Sequence, residues 1–234
     1  MGNKNRSSNY VNEKEIEGHG KPIPINKLKD LIELAKNSIC KIKYIDKIGT
    51  GFFFKQNISN IKFYNKFFLM TNNHVLNEDF FKNSSQLSIN FKNKERTIVL
   101  NNRIKYTNEK LDFTIIEILS QDTFFSEITF LNIDDYIMDN DSESEYVKDD
   151  ICIFQFPEGK LSFDKGEIDS FEKYKIKYFV STESGSSGSP ILLLDDFKII
   201  GIHSKGSKNG KKNKGYFMKY ILNDLNSQGN NNNN

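Results

Sequence analysis

The 234-residue sequence predicts an all-β protein carrying one short helix near each end. Three observations predict it. Apolar residues fall in short runs rich in Ile, Val, Phe and Tyr that are broken by Gly, Asn and Lys, the signature of strands. Helical periodicity is confined to one stretch near each end. Finally, 20 Phe and 10 Tyr with no Trp supply β-forming core bulk without marking a ligand.

Taken in order, residues 1–24 are polar, end in Lys21-Pro22-Ile23-Pro24, and are expected to form a flexible arm. Leu28, Leu31, Ile32, Leu34 and Ala35 recur at helical spacing and predict an amphipathic helix over 25–37. Six strands are expected next, at 38–45, 50–55, 66–71, 86–92, 96–101 and 112–118, within a first unit spanning 38–138. The acidic run from Asp139 to Glu145 has no periodicity and reads as a solvated linker over 139–147. A second unit, 148–226, is expected to hold strands at 151–156, 160–169, 177–182, 190–194, 198–203 and 215–218 and a closing helix from Phe217 to Leu225. The Asn-rich end, 227–234, is expected to be disordered.

Composition narrows the function. A net charge of +2 with 27% charged residues does not announce a nucleic-acid binder, and the basic loop Lys205–Lys214 lacks the interleaved aromatics such a role needs. That loop reads as solvated, or else as a steering patch for acidic substrates. There is no His/Cys cluster at metal spacing and no phosphate loop, so no metal and no cofactor is implied. His19, in the arm, is read as inert. Cys40 and Cys152 each lie in an apolar run, as buried free thiols or as one bridge. The start Met1-Gly2-Asn3-Lys4-Asn5-Arg6 lacks the apolar stretch of a signal peptide, and no run is long enough to span a membrane. The expectation is a cytoplasmic monomer. Membrane contact would require myristoylation of Gly2, where the motif wants Ser or Thr in place of Arg6.

Three segments carry chemistry. Gly185-Ser186-Ser187-Gly188-Ser189-Pro190 presents a serine between glycines. Phe67-Phe68-Leu69-Met70 breaks into Thr71-Asn72-Asn73-His74-Val75, and Asp112 opens the apolar run Phe113-Thr114-Ile115-Ile116. These resemble the nucleophile, base and orienter segments of chymotrypsin-like serine peptidases, in that superfamily's chain order of His, Asp, Ser. Gly49-Thr50-Gly51-Phe52 resembles the strand pair that backs the histidine. The resemblance covers most of residues 38–226. It implies two six-stranded antiparallel β-barrels with short N- and C-terminal helices and an active site in the cleft between them.

The resemblance further implies that Ser187 is the nucleophile, His74 the general base, Asp112 its orienter, and the backbone N–H groups of Gly185 and Ser187 the oxyanion hole. A protein or peptide is the implied substrate, cleaved through an acyl-enzyme. The stretch Val180–Pro190, followed by Ile199-Ile200-Gly201-Ile202-His203-Ser204, is similar to the glutamyl-endopeptidase and exfoliative-toxin branch. That likeness assigns Thr182 and His203 to an acidic P1 side chain and Ser204 to the support of Asp112; packing alone is the other reading of Thr182 and His203. Two departures stand out: Ser186 replaces the branch's Asn or Asp before the nucleophile, and one extra residue separates the nucleophile from His203. Without that acid a new N-terminus has no ion-pair partner, so the oxyanion loop is expected to form either unaided or on substrate binding. The alternative to an enzyme is a pseudo-peptidase that binds peptides without turnover.

Overall fold

The computed structural model describes residues 23–45, 47–56, 66–139, 142–206 and 212–228. The expected arm, except Ile23 and Pro24, lies outside them, as do most of the Asn-rich end and residues 207–211 of the basic loop.

Helix α1 runs Ile25–Ser38, starting after Pro24, whose φ of −59° is already suited to a helix entrance. Of its apolar stripe only Leu31 and Ala35 are buried, while Leu28 and Ile32 stay exposed. Strands β1 (Ile39–Tyr44), β2 (Lys47–Gln56), β3 (Lys66–Thr71), β4 (Gln86–Phe91), β5 (Lys94–Val99), β6 (Lys105–Asn108) and β7 (Phe113–Ile118) form one antiparallel sheet in the order β5-β4-β1-β2-β3-β7-β6. The first unit is therefore a seven-stranded, half-closed sheet, where a closed six-stranded barrel was expected. The added strand, β6, is four polar residues at a sheet edge, paired on one side only, so it lacks the apolar alternation by which strands are read.

The central strands are buried on both faces, which explains their unbroken apolar runs. Phe52 and Phe54 of β2, Phe68 and Met70 of β3 and Phe113 and Ile115 of β7 enter a core shared with the second unit. The alternate residues Phe53, Leu69 and Ile116 point into the first unit's own core. Lys92 and Asn93, with φ of 54° and 59°, make a two-residue turn that carries the β4–β5 pairing to Phe91↔Lys94. Helix α2 (Glu78–Asn83) was not foreseen, although Asn77 caps Phe80 N at 3.2 Å and Glu78 and Asp79 occupy the first turn.

In the second unit β8 (Asp150–Gln155), β9 (Ser162–Glu172), β10 (Lys175–Phe179), β11 (Pro190–Leu193), β12 (Ile199–Lys205) and β13 (Asn213–Phe217) close a six-stranded barrel in the order β10-β13-β12-β11-β8-β9. The strand expected over 177–182 stops at Phe179. Beyond it the backbone bonds to side chains: Asn213 Nδ2 to Val180 O, Ser181 N to Asp164 Oδ2 at 2.6 Å, and Gln155 Nε2 to Ser181 O at 2.9 Å. Within the expected linker a one-turn helix α3 runs Ser142–Glu145. Just before it, Leu131 N donates to Phe53 O and Ile199 N to Asn132 O, at 2.9 and 2.8 Å, so the crossing chain is bonded first to β2 and then to β12. Helix α4 (Met218–Ser227) buries Met218, Ile221, Leu222 and Leu225, and its Asp224 accepts from Tyr106 of β6 at 2.8 Å. Cys40 and Cys152 are separate free thiols in different cores. Among the described residues no helix is long and apolar enough to cross a membrane.

Candidate active site

His74 sits in the turn that leaves β3. Asn72 O accepts from both Val75 N and Leu76 N, at 3.2 and 3.1 Å, which tightens the turn and swings the imidazole outward, where it is half exposed. Asp112 precedes β7 with φ of 48°, a left-handed conformation that Asp tolerates better than most side chains. Asn72 Nδ2 donates to Asp112 O at 2.8 Å and holds that backbone from a wholly buried position. The carboxylate then receives three donors. His74 N reaches Oδ1 at 3.0 Å, Ser204 Oγ reaches Oδ2 at 2.6 Å, and His74 Nδ1 lies 3.0 and 2.9 Å from the two oxygens. A carboxylate on Nδ1 selects the tautomer protonated there and leaves Nε2 as a free base.

Ser187 lies in the loop between Phe179 and β11. Its hydroxyl donates to Ser204 O at 3.1 Å, and among the described residues it makes no hydrogen bond to His74. Ser204 occupies a bulge, since the β12–β13 register shifts between His203 and Lys205. The bulge turns the Ser204 side chain toward Asp112 while its carbonyl faces the serine, so this one residue touches both halves of the site.

The four carbonyls from Ser184 to Ser187 are all held. Glu158 N donates to Ser184 O at 3.1 Å, Thr50 Oγ1 to Gly185 O at 2.8 Å, Ser189 N and Oγ to Ser186 O at 3.1 and 2.7 Å, and Thr50 N to Ser187 O at 2.8 Å. In a trans peptide the N–H points opposite to the preceding C=O, so anchoring Ser184 O and Ser186 O turns the N–H groups of Gly185 and Ser187 away from the protein. Among the described residues neither N–H has a protein acceptor. The loop is shaped for this by glycine: Gly185 and Gly188 have φ of 101° and 91°, and a Cβ on either would stand 2.3 Å from Phe156 O or 2.1 Å from Thr50 O.

His203 is buried on β12, and Tyr178 OH lies 2.5 Å from its Nδ1. Burial, with a smaller push from His74 against the opposing pull of Asp112, lowers its pKa to about 3, so the ring is neutral. Thr182 is half-buried in the loop before Ser187, and among the described residues its side chain makes no hydrogen bond. Thus His74, Asp112, Ser204 and Ser187 form one connected set, whereas among the described residues no hydrogen bond joins Thr182 to His203. Sequence reasoning missed Thr50, Asn72 and Tyr178 as supports; only Thr50 carried a signal, lying between the two glycines of Gly49-Thr50-Gly51-Phe52. Among the described residues no group of His, Cys, Asp and Glu is arranged to hold a metal ion.

The profile of the trypsin-like peptidase domain matches residues 49–202, which include all three segments. The chain belongs to the trypsin-like peptidase family. A comparison with curated protein sequences gives no match. Solved structures of similar fold include the serine endoprotease from Yersinia pestis, at 12% identity and a TM-score of 0.62, covering 90% of this chain and 69% of that one. They also include an inactive form of Rv3671c from M. tuberculosis H37Rv, at 14% identity and a TM-score of 0.64, covering 94% of this chain and 99% of that one. At these identities the likeness shows the chymotrypsin-like fold. As a trypsin-like peptidase the protein is a hydrolase of the serine endopeptidase class.

Proposed function

We propose that this peptidase cleaves after acidic P1 residues, with Ser187 as nucleophile, His74 as general base and acid, Asp112 as orienter and the N–H groups of Gly185 and Ser187 as oxyanion hole. The observation that carries the catalytic assignment is the Asp112 carboxylate on His74 Nδ1, at 2.9 Å, beside a serine loop whose carbonyls from Ser184 to Ser187 are anchored. Rotation of Ser187 Oγ off Ser204 O toward His74 Nε2 transfers its proton as the oxygen attacks the scissile carbonyl. The tetrahedral oxyanion takes the two free N–H groups. His74 then protonates the leaving amine, and water repeats the sequence on the acyl-enzyme.

The acidic preference is supported by His203 and its tyrosine. In this reading Tyr178 OH donates to Nδ1, and the neutral ring carries its proton on Nε2 as a donor for a side-chain carboxylate. Thr182 supplies a hydroxyl from the adjoining loop. The test is a P1 peptide library read together with fluorophosphonate labelling. Labelling lost in Ser187→Ala and His74→Ala, with Glu preferred over Gln in the wild type and that preference reduced in His203→Ala and Thr182→Val, is the expected result. Labelling that survives in Ser187→Ala would overturn the mechanism. A P1 preference for Lys, Arg or large apolar residues would remove the acidic specificity and leave the mechanism standing.

A further inference from the structure

Thr50 stands in the middle of β2, wholly buried, two residues ahead of the buried run Phe52-Phe53-Phe54. A hydroxyl at such a place is costly unless it is bonded. It is bonded twice, both times across to the second unit: Oγ1 donates to Gly185 O at 2.8 Å and accepts from Phe156 N at 3.0 Å. The Thr50 backbone adds its N–H to Ser187 O at 2.8 Å, and Thr50 O accepts from Thr71 Oγ1, also at 2.8 Å. One residue of the first sheet therefore grips the carbonyls on both sides of Ser186.

The grip bears on the two N–H groups assigned to the oxyanion. Gly185 has φ of 101° and no side chain, so nothing local resists rotation of its two peptide planes. Their orientation rests on three anchors. Ser184 O is held by Glu158 N, Gly185 O by the Thr50 hydroxyl, and Ser186 N, in the same plane as Gly185 O, by Glu183 O at 3.1 Å. Thr50 also steadies the first anchor, because Phe156 N, which it accepts from, lies two residues before Glu158. Without the hydroxyl, Gly185 O and Phe156 N both lose their partner, and the second plane is left with the local Ser186 N to Glu183 O bond as its one hold among the described residues.

We infer that Thr50 is a positioning residue for the oxyanion loop, whose hydroxyl is needed for stabilising the tetrahedral transition state and not for binding the peptide. The inference rests on the assignment of the Gly185 and Ser187 N–H groups to the oxyanion hole. Loss of a whole oxyanion donor lowers kcat by about 10²–10³, so a misaligned donor is expected to cost about 10–100-fold.

The experiment compares wild type, Thr50→Val, Thr50→Ser and Ser187→Ala. It measures kcat and KM on a good peptide substrate, inhibition by the matching peptide boronic acid, which forms a tetrahedral adduct, and folding by circular dichroism and Tm. Thr50→Val is expected to lose about 10–100-fold in kcat at a KM within about threefold, to weaken the boronate by a similar factor, and to keep the wild-type circular dichroism. Thr50→Ser, which retains the hydroxyl, is expected to recover all but a few-fold. Wild-type kcat in Thr50→Val, a loss confined to KM, or equal impairment of Val and Ser would overturn the inference. A Val variant that does not fold would also overturn it, by making Thr50 a determinant of folding. Failure of the underlying reading is distinguishable, since it would appear in the wild type as insensitivity to the boronate and in Ser187→Ala as retained turnover.

Discussion

Ser204→Ala isolates one contact of the proposed triad. Ser204 has two roles held by different atoms: its hydroxyl donates to Asp112 Oδ2 at 2.6 Å and its carbonyl accepts from Ser187 Oγ at 3.1 Å. Alanine removes the first and keeps the second. A hydrogen bond to a charged group is worth about 1.5–3 kcal/mol, but Asp112 keeps the His74 backbone N–H at 3.0 Å and the imidazole on both oxygens. The carboxylate thus loses one of three donors, and its Oδ2 is left with the imidazole alone. The lower part of that range applies, so kcat is expected to fall about 10–30-fold with KM nearly unchanged, because misorientation of the base affects the transition state and not the bound peptide. Steady-state kinetics on a fluorogenic peptide, with Asp112→Asn as the reference for full loss of the orienter, measures it. Ser204→Ala within twofold of wild type, while Asp112→Asn is inactive, would refute the view that Ser204 fixes the carboxylate.

Two further outcomes follow from local geometry and charge. Gly188→Ala forces a Cβ to within 2.1 Å of Thr50 O and 2.5 Å of Thr71 Oγ1 at a φ of 91°, so it should destabilise the fold by several kcal/mol and abolish hydrolysis; a wild-type Tm would contradict it. His203, neutral in the fold with a pKa near 3 but titrating near 6.5 when unfolded, leaves the unfolded chain holding more protons between those values. Stability linked to His203 is therefore fully present above about pH 6.5 and is lost as pH falls toward 3, by up to about 1.4 kcal/mol per pH unit. Urea midpoints at pH 7 and 4.5 should accordingly fall less in His203→Gln than in wild type, and equal falls would contradict the burial argument.

What the sequence determined by itself is what local chemistry encodes. The all-β class follows from runs such as Phe52–Phe54 and Phe67–Met70, whose residues fill cores on both faces of one sheet. His74, Asp112 and Ser187 were picked out because their segments resemble those of chymotrypsin-like peptidases, and of these the structure joins His74 to Asp112 at 2.9 Å. Where short-range signals were weak, reading failed. The polar edge strand β6 draws its stability from pairing with β7, and the end of β10 is set by side chains of Gln155, Asp164 and Asn213 that are distant in sequence. Only the tertiary structure decided how the serine loop is held. The support of Asp112 by Ser204, 92 residues away, was implied by the resemblance, but the grip of Thr50 on the loop, 135 residues before Gly185, was not. Such contacts leave no periodicity in the chain, because a hydroxyl buried at 0% exposure finds its acceptor through the packing of one sheet against the other and not through its neighbours in sequence.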